Sequence, residues 1–161
     1  MKKILFPAGG AALFAADQIL KSYAEQNLEK GEERPLTDRI VLRRVHNKGM
    51  CLNLLDEEPG LVRTLSLVSA SVLTGFYFLT LFRKKGFWMK KGLSLMTAGA
   101  WSNTVDRCAK GYVVDYVGFR CGNEKISAVT YNLGDFFLAA GGVISAAAAL
   151  FRPKRKNRKS E

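Results

Sequence analysis

The sequence predicts a mainly helical integral membrane protein: a bundle of four transmembrane helices with a small extracytoplasmic β-sheet. Four uncharged runs, at residues 4–16, 64–82, 92–105 and 136–151, predict the helices. Three basic clusters flank these runs and hold 13 of the 25 Lys and Arg residues. Because basic clusters stay on the cytoplasmic side of a membrane, they predict a multi-pass protein with both termini in the cytoplasm.

The lengths of the runs set the predicted spans. A span needs about 20 mostly apolar residues, which only the second run reaches unaided. The first run reaches this length if its helix continues past Asp17, and the last two if Asp106 and Asp135 lie at the water boundary. Within a single domain of 161 residues, the predicted spans are approximately 4–23, 61–82, 89–106 and 135–151. The outer segments are then 24–60 and 107–134, and residues 152–161 form a basic cytoplasmic tail.

The first run also resembles a cleavable secretory signal, because two lysines precede a short apolar stretch that ends in LFAAD. Asp17 and Lys21 argue against cleavage, since they follow on one helical face. Removing the run would also leave an odd number of spans. We therefore expect a first helix that is retained.

Two β-rich stretches in the outer segments predict the sheet. RIVLRRVHN (39–47) mixes β-branched and basic residues, as a half-buried strand does, and YVVDYVGF (112–119) follows Gly111. Before them, SYAEQNLEKGEERP (22–35) is polar and predicted to be helical as far as Pro35. We expect the two strands to lie on the outer face of the bundle.

The net charge of +11 is consistent with nucleic acid or a membrane surface as the partner. The basic tail has no aromatic residue after Phe151, so it lacks the stacking side chains of a nucleic-acid site. We therefore expect contact with anionic membrane phospholipid and no nucleic acid.

The cysteines predict neither a disulfide framework nor a zinc site, because Cys51, Cys108 and Cys121 are odd in number and lack CxxC spacing. We expect small buried thiols, and whether Cys51 and Cys121 meet stays open. No metal-ligand cluster is evident, so we expect no metal and no cofactor.

Ionisable groups inside a span cost about 2.5–3.5 kcal/mol each at its centre, which makes them functional candidates. Asp17 and Lys21 lie four residues apart and can pair, although an ion pair that only orients the first helix explains them equally well. Asn103, Asp106 and Arg107 form one polar face at the outer end of the third span. An ordinary water boundary explains the last two, but it explains Asn103 poorly.

Asn132 and Asp135 bracket the start of the fourth span, where helix capping alone would explain them. Capping does not explain Asp115, a carboxylate in a β-rich apolar run. The topology places Asp106, Asp115 and Asp135 on the outer side. Two carboxylates brought close in a poorly solvated place share one proton and can activate a water molecule, as in aspartic proteases. The single histidine, His46, has no nucleophile motif to accompany it.

These residues resemble the lipoprotein signal peptidase (signal peptidase II) family over most of the chain. ADQILK is similar to its first-helix Asp/Lys motif, and HNKGM to its Asn-x-Gly motif. SNTVDRCAKGYVVDY resembles its Asn-x-x-Asp-Arg…Gly-x-Val-x-Asp block, and YNLGD its Phe-Asn-x-Ala-Asp block. The last two at their proper separation are highly specific together, whereas the first two are weak alone.

The resemblance implies a membrane aspartic endopeptidase of the bacterial cytoplasmic membrane, with Asp115 and Asp135 as the catalytic dyad. The implied substrate is a prolipoprotein whose cysteine already carries diacylglycerol, and cleavage falls immediately before that cysteine. We expect a monomer. The residues that the resemblance implies for binding the substrate or supporting the site are Asn47, Asn103, Arg107 and Asn132, then Asp106, Asp17 and Lys21.

The sequence departs from the family pattern at four places. Ser102 stands where Gly is usual, Tyr131 and Gly134 replace Phe and Ala, and MCLN follows Gly49 where small and aromatic residues are usual. A catalytically inactive homologue therefore stays an alternative. A small proton- or cation-coupled transporter is another, but transporters place such groups near the midplane between repeated halves, and no repeat is visible here.

Overall fold

The structure is a computed structural model that describes residues 2–50 and 55–151. Four long helices and a small antiparallel sheet form the fold, so the predicted mainly helical class with a small sheet is confirmed. The helices are α1 (Lys2–Asn27), α2 (Pro59–Leu81), α3 (Phe87–Ala109), the short α4 (Glu124–Ala128) and α5 (Leu133–Leu150). The strands are β1 (Arg34–Pro35), β2 (Ile40–Asn47), β3 (Val113–Phe119) and β4 (Thr130–Tyr131).

Two of the described helices are long and apolar enough to cross a membrane. These are α2 and α5, with mean hydropathies of 1.6 and 1.7. α1 and α3 are not among the described helices that meet this criterion of length and hydropathy. The count of four membrane spans therefore stays a prediction.

α3 lies at the centre of the helices and packs against α1, α2 and α5. Glycines bring α3 and α5 into backbone contact. A Cβ atom on Gly141 would lie 2.5 Å from the carbonyl oxygen of Gly92, and one on Gly99 would overlap the carbonyl oxygen of Gly134. Such small residues allow close helix packing in membranes, and here they fix the position of the first turn of α5 relative to α3.

The sheet has the order β1-β2-β3-β4 with antiparallel neighbours. On one face of β3, Val114 and Tyr116 pack against Ala24 of α1 and Leu28, the residue that follows this helix. Because side chains alternate along a strand, Asp115 points to the opposite face, where Val45 of β2 is its register partner. The sheet thus directs Asp115 away from α1.

The predicted helix up to Pro35 is wrong, because α1 ends at Asn27. The chain then turns through Gly31, which has a φ of 86°, and the N–H of Glu32 donates to the carbonyl oxygen of Glu29 at 3.1 Å. A glycine at positive φ suits the third position of a tight turn. Arg34 and Pro35 then form β1 instead of a helical end.

The expectation of buried thiols is wrong for Cys108 and Cys121, which are both exposed. Cys108 lies in the last turn of α3 and Cys121 lies two residues beyond β3, so both thiols are at the ends of elements, where side chains reach solvent more readily. Cys51 lies outside the described residues, and so does any bridge between it and Cys121.

Candidate active site

Asn132 contacts both predicted catalytic carboxylates. Its side-chain amide donates to Oδ1 of Asp115 at 2.6 Å, and its backbone N–H donates to Oδ2 of Asp135 at 3.0 Å. The N–H of Asp135 donates in return to Oδ1 of Asn132 at 3.0 Å. This capping box starts α5, and its asparagine also joins the two carboxylates. The residues that cap the helix are therefore also residues of the candidate site.

Asp115 is only 3% exposed. Besides the contact with Asn132, its Oδ2 accepts a hydrogen bond from Nδ2 of Asn47 on β2 at 3.1 Å. Burial and then the charge of Asp135 raise the pKa of Asp115 to about 7, although the hydrogen bonds from Asn132 and Asn47 act to lower it. At neutral pH a large fraction of Asp115 therefore carries a proton.

Asp135 is half-buried in the first turn of α5, at the positive end of the helix dipole. Its Oδ1 accepts a hydrogen bond from Nδ2 of Asn103 at 2.9 Å. Oδ1 of Asn103 accepts in turn from the ammonium group of Lys21 at 2.8 Å. The predicted residues of α1, α3 and α5 thus form one continuous chain of contacts.

The buried ionic network, formed by Asp17, Lys21 and Asp106, lies beside the carboxylates. Nζ of Lys21 is 3.1 Å from Oδ2 of Asp17 and 3.3 Å from Oδ2 of Asp106, and all three side chains are at most 1% exposed. Oδ2 of Asp106 also accepts from the N–H of Val114 at 3.2 Å, which holds β3 against α3 next to Asp115. Lys110 faces the other oxygen of Asp106 at 3.2 Å.

Arg107 and Asn47 both hold the turn that follows β2. Nη2 of Arg107 donates to the carbonyl oxygen of Gly49 at 2.9 Å, and the N–H of Gly49 donates to Oδ1 of Asn47 at 3.0 Å. Within residues 2–50 and 55–151, the buried Nε of Arg107 has no hydrogen-bond partner. The guanidinium group therefore retains a donor that the described part of the chain does not use.

Sequence reasoning missed Tyr116. Its hydroxyl group donates to Oδ1 of Asp17 at 2.8 Å and accepts from the N–H of Leu133 at 3.2 Å, which joins β3, α1 and the start of α5. Burial and the charge of Asp17 raise the pKa of this phenol. Alternation along β3 is the signal that could have found it, because a tyrosine on the inward face needs a buried partner.

Ser102 was noted in the sequence only as a departure, but its hydroxyl group donates to Oδ2 of Asp17 at 2.6 Å. Tyr131, another departure, packs its ring against Phe119 and Phe136 at centroid distances of 5.9 and 5.8 Å, a role that the usual phenylalanine would also fill. The residues 51–54 that follow the Asn47–Gly49 turn lie outside the described residues.

Two carboxyl groups joined by one asparagine, one of them with a pKa near neutrality, are equipped for acid–base chemistry on a shared water molecule. In the part of the chain that the structure describes, no group of three or more His, Cys, Asp or Glu side chains could hold a metal ion. Comparison with known proteins identifies the family of the chain. The family model described as Signal peptidase (SPase) II matches residues 10–151.

The chain belongs to the signal peptidase II family. It is similar to curated relatives named lipoprotein signal peptidase from Streptococcus pneumoniae and Nostoc punctiforme. The first is 31% identical over 133 residues, which cover 82% of this chain and 83% of the relative. The second is 33% identical over 143 residues, which cover 88% of this chain and 86% of the relative. The resemblance to signal peptidase II is therefore confirmed, and the chain is a protease of this membrane-enzyme family.

Two solved structures share the fold. Both are described as bacterial membrane enzymes, with TM-scores of 0.79 and 0.74 and 19% sequence identity to this chain. They match 99% and 94% of this chain, and each is itself covered to 94%. The helices and sheet described above are therefore the fold of membrane enzymes.

Proposed function

We propose that this signal peptidase II removes the signal peptide from diacylglyceryl-modified prolipoproteins by cleaving the amide bond immediately before the lipidated cysteine. The observation that carries the proposal is the contact of Asn132 with both Asp115 and Asp135. It supports a dyad in which two carboxyl groups act on one water molecule. The name shared by the relatives, lipoprotein signal peptidase, supports the choice of substrate.

In this mechanism Asp135 is the base and Asp115 is the acid. Asp115, whose pKa is raised to about 7, holds the shared proton, and the N–H of Asn132 donates a hydrogen bond to Oδ2 of Asp135. Asp135 takes a proton from water as the water oxygen bonds to the scissile carbonyl carbon, and Asp115 gives its proton to the carbonyl oxygen. Asp115 then recovers a proton from one hydroxyl group of the intermediate, Asp135 protonates the amine, and the C–N bond breaks.

Asparagines hold the dyad in this state. Asn132 and Asn47 donate to Asp115, and Asn103 donates to Asp135, so each carboxyl group keeps one orientation relative to the other. Arg107 donates to the carbonyl oxygen of Gly49 and so holds the turn against which the precursor is oriented. Asp106, Asp17 and Lys21 support these groups without contacting the substrate.

The proposed setting is the bacterial cytoplasmic membrane, with α1, α2, α3 and α5 as four spans, both termini in the cytoplasm and the dyad on the outer side. The three basic clusters support this orientation. A lipid-anchored precursor arrives in the plane of the membrane, so a dyad at the boundary between lipid and water meets the cleavage point. The basic tail contacts anionic phospholipid. A monomer suffices, because one chain supplies both carboxylates.

The proposal is tested with purified protein in detergent and a diacylglyceryl-modified precursor, with cleavage scored by gel shift. We expect cleavage by the wild type and by Asp38→Asn, which changes an exposed carboxylate away from the site. We expect Asp115→Asn and Asp135→Asn each to lower kcat by at least about 1,000-fold, since neither amide can exchange a proton with water.

The unlipidated precursor is the substrate control and should not be cut. Cleavage that survives in both dyad variants would exclude the aspartic mechanism. A well-folded wild type that cuts no lipidated precursor would instead identify an inactive homologue.

A further inference from the structure

The hydroxyl group of Ser102 on α3 makes three hydrogen bonds to residues of α1. It is fully buried and donates to Oδ2 of Asp17 at 2.6 Å. It accepts from Nζ of Lys21 at 3.1 Å and from Nε2 of Gln18 at 2.9 Å. With one donated and two accepted hydrogen bonds, this hydroxyl group uses its full capacity within the network.

Lys21 connects Ser102 to the dyad. A buried ammonium group requires acceptors around it, and Lys21 has four: Asn103 at 2.8 Å, Asp17 and Ser102 at 3.1 Å, and Asp106 at 3.3 Å. Ser102 supplies one of these acceptors and also fixes the carboxylate of Asp17, which supplies another. The position of the ammonium group therefore depends on Ser102 directly, through their hydrogen bond, and indirectly, through Asp17.

Lys21 determines the orientation of the Asn103 amide. An ammonium group can only donate, so the amide must present its oxygen to Lys21. Its Nδ2 is then directed at Oδ1 of Asp135, 2.9 Å away. If Lys21 shifts, the Asn103 amide is free to rotate, and Asp135 loses a fixed donor.

Gly134 restricts the same carboxylate from the other side. A Cβ atom there would lie 3.1 Å from Oδ2 of Asp17, the oxygen that Ser102 contacts, and 2.8 Å from Oδ1 of Asn132. A side chain at position 134 would therefore compete with the Ser102 hydroxyl group for the space around Oδ2 of Asp17.

We propose that Ser102 is a positioning residue for proteolysis: its hydroxyl group holds Asp17 and Lys21 so that Asn103 keeps Asp135 oriented, and Gly134 leaves room for that hydroxyl group. This inference rests on the proposed function, because it assumes that Asp135 acts in catalysis. Ser102 contacts neither the dyad nor the substrate and acts only through its neighbours.

Ser102→Ala tests the inference in the cleavage assay. Losing a hydrogen bond to charged groups should lower kcat about ten-fold, with KM within about two-fold of wild type, because Asp135 acts in the chemical step. The matched control is Ser94→Ala, since Ser94 is buried on the same helix but donates to the carbonyl oxygen of Phe6. A kcat loss in Ser102→Ala no larger than that in Ser94→Ala would overturn the inference.

The pair of positions 102 and 134 gives a second test. Gly134→Ala alone should lower kcat, and adding Ser102→Gly should restore part of it, because removing the hydroxyl group frees space for Asp17 to move away from the methyl group, whereas the contact with Oδ1 of Asn132 remains. If Ser102→Ala does not fold, this comparison decides. Losses that simply multiply in the double variant would contradict the shared contact on Asp17.

A third measurement needs no substrate. In a double-mutant cycle of Tm with Ser102→Ala and Lys21→Met, the effects should be non-additive by about 3 °C, because both changes disrupt one network. Additive effects would overturn the inference even in a chain that cleaves nothing. Failure of the proposed function is seen separately, as cleavage that survives in the dyad variants or is absent in the wild type.

Discussion

At the scale of single residues, the buried carboxyl groups of the candidate site differ in their partners. Asp17 and Asp106 are buried but paired with Lys21, so their charges are compensated. Asp115 is equally buried, yet its direct partners are the neutral amides of Asn47 and Asn132. Because burial and then the charge of Asp135 outweigh these hydrogen bonds, the pKa of Asp115 is raised to about 7.

The pKa of Asp115 predicts how stability depends on pH. Below the ordinary value of 3.8 the group is protonated in both the folded and the unfolded chain, and its contribution to stability is fully present. As the pH rises from there to about 7, the unfolded chain releases the proton first, so the folded state becomes less stable.

Asp115→Asn removes this dependence, because an amide does not ionise. We expect the Tm of the variant, relative to wild type, to increase between about pH 5 and about pH 8, by an amount equivalent to at most about 3 kcal/mol. Thermal unfolding in detergent across this range measures the difference. Asp38→Asn, at an exposed position, is the control and should show a constant offset. A constant offset for Asp115→Asn as well would contradict the raised pKa.

Tyr116→Phe removes only the hydroxyl group of this side chain and keeps its ring. It leaves Oδ1 of Asp17 and the N–H of Leu133 without their partner, so we expect a loss of about 1–3 kcal/mol in the free energy of unfolding. The comparison is Tyr131→Phe, whose ring stays in its aromatic cluster and whose loss should stay within about 0.5 kcal/mol. Equal losses in chemical denaturation would show that the Tyr116 hydroxyl group does not link the three elements.

At the scale of secondary-structure elements, α3 and α5 determine the geometry of the dyad through their backbone contact. The carbonyl oxygen of Gly134, the residue before Asp135, lies directly against Gly99 of α3. The side chain of Asn103, one helical turn further along α3, reaches Asp135. Any change that separates these two helices moves Asp135 relative to Asn103 and Asp115.

Gly99→Ala should therefore lower both stability and activity. Its methyl group overlaps the backbone of Gly134, and overpacking of this kind costs about 1–3 kcal/mol. Gly142→Ala is the matched control, because a Cβ atom there meets nothing within 4 Å and alanine favours a helix. Tm and kcat measured for both variants test the contact. A Gly99→Ala protein as stable and active as Gly142→Ala would contradict it.

At the scale of the whole molecule, the proposed orientation places β3, α4 and the loop between them outside the cell. Cys121 lies in that loop, and its thiol is exposed. The hydroxyl group of Ser127 lowers the pKa of the Cys121 thiol, which favours the reactive thiolate. Chemical labelling of Cys121 therefore shows on which side of the membrane this loop lies.

In a chain with Cys51→Ser and Cys108→Ser, we expect a membrane-impermeant maleimide to label Cys121 in intact cells. A cysteine introduced by Ser160→Cys into the tail, in a chain that also lacks Cys121, should react only after the cells are permeabilised. Labelling is read as a mass shift on a gel. The reverse pattern, or equal labelling of both chains in intact cells, would refute the proposed orientation.

The sequence alone determined the features that depend on local pattern. Uncharged runs predicted where the long helices lie, β-branched stretches predicted β2 and β3, and the spacing within two motif blocks indicated the family. It predicted less well where elements end. α1 ends at Asn27 because a turn at Gly31 competes with a polar helix, and the exposure of Cys108 and Cys121 depends on which neighbours cover them.

Only the tertiary structure decided which atoms meet. Ser102 and Asp17 are 85 positions apart in the chain, and Tyr116 and Asp17 are 99 apart, so no local pattern reports their hydrogen bonds. The sequence could name Asp115, Asn132 and Asp135 as polar residues in apolar surroundings. That one asparagine joins both carboxyl groups depends on β3 and α5 being packed against the same helix, and the packing of distant elements is a property of the folded chain as a whole.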